Sequence, residues 1–131
     1  MPVANPYAPP LAALPVERHE LQLLGANTAY WVYGPADAQT TIIAVHGFRG
    51  DHHPGVRVIM PDLPGFGESP ALPGREHDVD SYAEWLRAFA LLVDPHGTAV
   101  ILGHSFGSIV TSAAVAAGLP TPRLILVNPI G

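Results

Sequence analysis

The sequence predicts an α/β fold: an antiparallel hairpin leading into a mostly parallel sheet of about six strands with flanking helices. Three observations carry this expectation. Short continuous apolar runs recur at Thr40 to Val45, Val56 to Met60, Gly97 to Leu102 and Arg123 to Val127, as in strands buried on both faces. Segments with apolar residues three and four apart follow two of them, and alternation of this kind indicates a parallel sheet covered by helices. A small-residue turn, Gly103-His104-Ser105-Phe106-Gly107, joins one such strand to one such helix.

The elements are justified in order. Residues 1–15 hold prolines at 2, 6, 9, 10 and 15, a density that opposes helix and ladder pairing alike, so they read as a flexible arm before a core spanning 16–131. Glu17 to Leu24 alternates, Gly25-Ala26-Asn27 reads as a turn, and Thr28 to Tyr33 is rich in β-formers, which together predict the hairpin. Gly34-Pro35 ends it. The run Thr40 to Val45 meets His46-Gly47-Phe48, and Val56 to Met60 meets the loop Pro61-Asp62-Leu63-Pro64-Gly65-Phe66-Gly67-Glu68-Ser69.

Asp80 opens a helix in which Ser81 and Glu84 have capping-box spacing. Its apolar positions Tyr82, Trp85, Leu86, Phe89, Leu92 and Val93 recur at three and four, and this stripe reads as core rather than ligand contact. After the small-residue turn, Ile109, Val110, Ala113, Ala114 and Ala117 define a second helix, stopped by Gly118 and Pro120.

Composition narrows the function. A chain of 131 residues is at most one domain, and 48% hydrophobic with 13% charged residues describes a globular one. Net charge is −5, with six arginines, no lysine and no basic cluster, so no nucleic-acid partner is expected. The absence of cysteine excludes disulfides and a cysteine nucleophile. No apolar run approaches the roughly 18 residues of a membrane span, and the proline-rich start lacks a signal peptide's basic and apolar regions. No membrane association and a cytoplasmic location are the expectations.

The chemistry concentrates at Gly103-His104-Ser105-Phe106-Gly107, which fits G-x-S-x-G. A serine hydroxyl is a poor nucleophile and must be held where a base and a carbonyl can both reach it. A strand turning sharply into a helix does this, provided that the positions two before and two after the serine are small, hence Gly103 and Gly107. The Phe106 N–H, in the first turn of a helix, would face an oxyanion. The plainer alternative is a buried serine in a glycine-rich turn.

Through His46-Gly47-Phe48, Pro61 to Ser69 and Gly103 to Gly107, taken in that order, the chain resembles the α/β-hydrolase family over roughly residues 20–130. The resemblance implies Ser105 as nucleophile, the backbone N–H groups of Phe48 and Phe106 as oxyanion hole, and His46, Gly47, Gly103, His104 and Gly107 as supports of the elbow and loop. It implies an acyl-transfer hydrolase using an acyl-enzyme and a small-molecule acyl substrate. The serine argues against the family's dehalogenases and epoxide hydrolases, which use Asp at the elbow. In the family the triad acid and histidine follow later strands, so the chain is expected to be a partial sheet lacking the C-terminal strands, the cap and both residues. The ten residues 46–55 are too few for a parallel crossover with its own helix, although they can span roughly 33 Å if extended. A fragment with an internal deletion is the expectation. An exposed edge after Val127 predicts self-association.

Other candidates are weaker. Of seven histidines, His52-His53 beside Asp51 is the densest group, but adjacent residues point apart and no H-x-x-x-H spacing occurs, so no metal is expected. His46 and His104 read as packing and loop hydrogen-bonding groups rather than bases. Asp62 and Glu68 read as solvated loop carboxylates. Gly65-Phe66-Gly67 lacks the features of a phosphate loop, and no cofactor is expected. The competing function is a non-catalytic binding or remnant protein with an unactivated Ser105.

Overall fold

A computed structural model describes residues 2–3, 16–45 and 56–128. The strands are β1 (Pro2–Val3), β2 (Val16–Leu23), β3 (Ala26–Tyr33), β4 (Thr40–Val45), β5 (Val56–Pro61), β6 (Val100–His104) and β7 (Leu124–Val127). Among the described residues the helices are α1 (Val79–Val93) and α2 (Phe106–Ala116). One sheet runs in the order β1-β2-β3-β5-β4-β6-β7. The pairs β1-β2, β2-β3 and β3-β5 are antiparallel, and β5-β4, β4-β6 and β6-β7 are parallel. The partly parallel sheet and its hairpin are therefore as the sequence predicts, with β1 as a two-residue addition.

Parallel register places Ile43, Ile59, Ile101 and Leu124 side by side. The first three are fully buried beneath the helices, in one core with Val45, Leu86, Phe89 and Val110. A column of rings ties α1 to the hairpin: His19 stacks on Tyr30, Phe89 meets Tyr30 edge-on at 5.4 Å, and Trp85 stacks on Phe89 at 5.3 Å. The Trp85 indole N–H donates to Thr28 Oγ1. Such rings supply most of the apolar area that a helix of this length can bury.

Several local expectations are corrected. The hairpin turn is Leu24-Gly25, both at positive φ (53° and 89°), the pairing that matches the strands' twist; Ala26 and Asn27 already belong to β3. The cap of α1 is Asp78, whose carboxylate accepts the Ser81 N–H at 2.8 Å, and Glu84 pairs with Arg75 at 3.1 Å instead of closing a capping box. Leu92 is 57% exposed, while Ala83 and Ala90 are buried, so the buried stripe is rotated toward the small residues. Pro2 and Val3 pair with Glu17 and Val16 where the proline density predicted no ladder; a proline at the first residue of an edge strand forfeits no ladder bond. The rest of the arm and the link 46–55, including His52 and His53, lie outside the described residues. The elbow helix ends as expected. Gly118, at φ 108°, donates to the Val115 carbonyl and Leu119 to that of Ala114, the paired bonds of a Schellman motif.

The Ser81 N–H, and then its hydroxyl, hold the Asp78 carboxyl below the usual carboxylate range. A lowered folded value means that the cap contributes stability above the unfolded carboxylate pKa and loses it as pH falls through the folded one. Asp78→Ala is therefore expected to lower the thermal midpoint at pH 7, with the gap to the parent protein closing as the pH is taken down through that value. A gap independent of pH would show that the charge contributes nothing.

Candidate active site

β6 runs without a break into Ser105, which adopts φ 56° and ψ −121° before α2 begins at Phe106. Non-glycine residues rarely occupy this region, and where one does the surrounding structure must hold it there. The restraints are visible. The Ser105 N–H donates to the Val127 carbonyl at 3.2 Å, extending the β6-β7 ladder one residue beyond His104. The Ser105 carbonyl accepts both the N–H and the hydroxyl of Ser108.

Both glycines are required by contact. A methyl group on Gly107 would lie 2.1 Å from the Val45 carbonyl oxygen and 2.9 Å from its carbon. One on Gly103 would lie 2.2 Å from Thr111 Oγ1 and 2.6 Å from the Gly107 carbonyl oxygen. The backbones of β4, β6 and α2 thus meet where only hydrogen fits. Thr111, fully buried, closes this packing by donating to the Gly107 carbonyl at 2.8 Å. Sequence reasoning passed over Thr111; its spacing of four from Gly107 is the signal, since a threonine hydroxyl reaches the carbonyl one turn back.

Two consequences for chemistry follow. Ser105 is the N-cap of α2 yet makes no side-chain cap bond, so its hydroxyl is not consumed by the helix as an N-cap serine's usually is. Its own N–H is occupied by the Val127 carbonyl, and the next backbone N–H, that of Phe106, lies in the first turn of α2. The first turn of α2 holds no acidic residue to oppose negative charge there.

His104 ends β6, half-buried, opposite Val127. His46, Gly47 and Phe48 lie outside the described residues. Among the described residues no histidine or carboxylate bonds the Ser105 hydroxyl, and no group of three His, Cys, Asp or Glu converges on a point. Asp62 and Glu68 have structural duties: Asp62 accepts the Glu68 N–H at 2.8 Å, and Glu68 pairs with Arg18 at 2.9 Å. Among the described residues no helix is long and apolar enough to cross a membrane.

The loop after β5 packs against the elbow through aromatic residues. Phe106 meets Tyr82 edge-on at 5.6 Å and Phe66 at 6.3 Å. Tyr82 is buried, which pushes its phenol up, and it donates to the Pro64 carbonyl at 3.0 Å. The helix stripe of the sequence analysis thus reaches the site at its first member.

Gly107→Ala is expected to lower stability by about 1–3 kcal/mol, the usual cost of overpacking, since backbone rather than a flexible side chain must yield. Denaturant unfolding checks this, and a midpoint equal to the parent's would mean that the close approach is not real.

Comparison with known proteins places the chain. Residues 23–131 match the model of the alpha/beta hydrolase family. No curated protein matches. Among solved structures, the lip1 candidate lipase of Acinetobacter baumannii AYE is 26% identical with a TM-score of 0.75, over 88% of this chain and 42% of that one. The hypothetical protein PA1622 of Pseudomonas aeruginosa PAO1 is also 26% identical, with a TM-score of 0.73, over 87% and 44% of the two chains. The N-acyl homoserine lactonase AidH shares the fold at 21% identity and a TM-score of 0.73, over 87% and 45%. The chain therefore spans less than half the length of these structures. With a family match that runs from the hairpin through the elbow and β7, this chain belongs to the alpha/beta hydrolase family.

Proposed function

We propose that the chain carries the nucleophile-bearing part of a serine hydrolase acting on an ester, thioester or related acyl bond of a small molecule. Ser105 attacks the acyl carbon, its proton passing to a base, and the carbonyl oxygen takes the negative charge. The Phe106 N–H steadies that charge, with the Phe48 N–H as the second donor by family resemblance. Collapse of the tetrahedral species expels the alcohol or thiol and leaves an acyl-serine, which water then cleaves. The observation that carries this reading is the Ser105 backbone at φ 56°, ψ −121°, with a hydroxyl that makes no cap bond. Strain of this kind is retained where it presents a side chain to a substrate.

A second reading, an inert binding or remnant protein, draws on the lack of a base bonded to Ser105 among the described residues. Exposure to a fluorophosphonate separates the two. A slow intact-mass adduct mapped to Ser105, and absent from Ser105→Ala, is the expected result, since an elbow without a relay reacts only at the residual rate that its geometry supplies. A chain of unchanged 13.8 kDa mass would support the inert reading.

An elbow with its oxyanion donor but no relay is expected to give only the residual acceleration of a serine enzyme stripped of its triad, roughly 10³ to 10⁴ over water. Ester turnover above about 1 s⁻¹, within the ordinary enzyme range, would show instead that a base is in place.

A further inference from the structure

The loop between β5 and α1 is braced by hydrogen bonds around one exposed aromatic side chain. A network of hydrogen bonds through backbone groups fixes residues 62–69. Asp62 N–H donates to the Ala29 carbonyl, and the Ala29 N–H donates back to Ser69 Oγ. Glu68 N–H donates to Asp62, Gly65 N–H to the Ser69 carbonyl, Phe66 N–H to that of Leu63, Ser69 N–H to that of Phe66, and the Tyr82 hydroxyl to that of Pro64. Gly65 and Gly67, at φ 84° and 50°, flank the tip. A methyl on Gly67 would lie 2.2 Å from Asp62 Oδ2. What this framework presents is Phe66, whose residue is 41% exposed.

A lone exposed phenylalanine on a surface needs no explanation. Phe66 is not placed at random: its ring lies 6.3 Å from that of Phe106, the residue following the nucleophile, and 6.3 Å from that of Tyr82. Tyr82 is buried and Phe106 half-buried, so Phe66 extends their apolar surface outward from the elbow. The loop leaves the carboxyl end of β5, the same edge of the sheet at which β6 meets the elbow, and parallel sheets bind ligands at that edge.

We propose that Phe66 is a specificity-determining residue: with Phe106 it forms an apolar wall along which the hydrocarbon chain of the acyl substrate lies, so that chains of several carbons are preferred to acetyl-sized ones. The inference rests on the reading of Ser105 as an acyl-transfer nucleophile. A rigid ring suits this task because little conformational entropy is lost when a chain packs on it.

The test compares Ser105 modification rates, by intact mass, for ethyl and decyl fluorophosphonates. The parent protein is expected to favour the decyl reagent, and Phe66→Ala to lower the decyl-to-ethyl ratio roughly tenfold, as loss of contact with two or so methylenes implies. Phe66→Leu should restore most of the ratio, and Leu92→Ala, on an exposed part of α1, should not move it. Thermal melting verifies that each variant is folded. Modification with a ratio unmoved by Phe66→Ala would overturn the inference and leave the hydrolase reading standing. If neither reagent modifies Ser105, the hydrolase reading fails, and titration with decanoate decides the rest: movement of the Phe66 ring resonances would keep the apolar wall, and their constancy would overturn it.

Discussion

Three backbones must come within hydrogen-only distance of one another for this fold to exist. The Val45 carbonyl, Gly107 and Gly103 meet so closely that a methyl at either glycine would fall inside van der Waals contact with backbone. The consequences spread outward. With α2 drawn onto the end of β4, the turn between β6 and α2 has no slack, and Ser105 takes up the strain at positive φ. The Schellman closure at Gly118 and Leu119 fixes the far end of α2, and β7 returns beside β6 in time to accept the Ser105 N–H. Strain at one residue is thus balanced by packing and hydrogen bonds at several.

The hairpin is the second support. Ala29, at the centre of β3, engages the site loop through both of its backbone groups, to Asp62 and to Ser69. A residue with an entirely buried methyl therefore positions Phe66 and, through Tyr82, the flank of the elbow. From the other side, Arg18 of β2 reaches the loop at Glu68 while lying over Trp31 at 5.8 Å. The exposed ion pair contributes little by itself, whereas the loop's buried bonds to Ala29 and Tyr82 cannot be exchanged for water at no cost.

Much of this was legible in the sequence because it is local. Continuous apolar runs located β4 to β7, and the glycine spacing around Ser105 located the elbow, since each reflects a constraint acting within about ten residues. What escaped depends on contacts distant in sequence. Leu24 adopts positive φ because its side chain packs on the core, while Asn27, a good turn former, bonds across the strands to Gln22. Leu92 was misplaced because periodicity weighs large residues, and the stripe is centred nearer Ala83 and Ala90. The roles of Ala29 and Thr111 are carried by a backbone group and a common hydroxyl, which no motif marks. Phe48, half of the expected oxyanion hole, lies outside the described residues.

Geometry and activation are separable in this site. The elbow's geometry is closed by contacts among β4, β6, β7 and α2, all within the described residues. Activation requires a base within hydrogen-bond reach of the hydroxyl, and none among the described residues bonds it. A similar division runs through the sheet. Both described helices cover the Ile43, Ile59 and Ile101 face, while Ile42, Val58 and Val100, level with one another in register, are half-buried on the opposite one. Their apolar character belongs to a parallel sheet covered on both faces. The turn that bears Ser105 is therefore organised by packing and hydrogen bonds among β4, β6, β7 and α2.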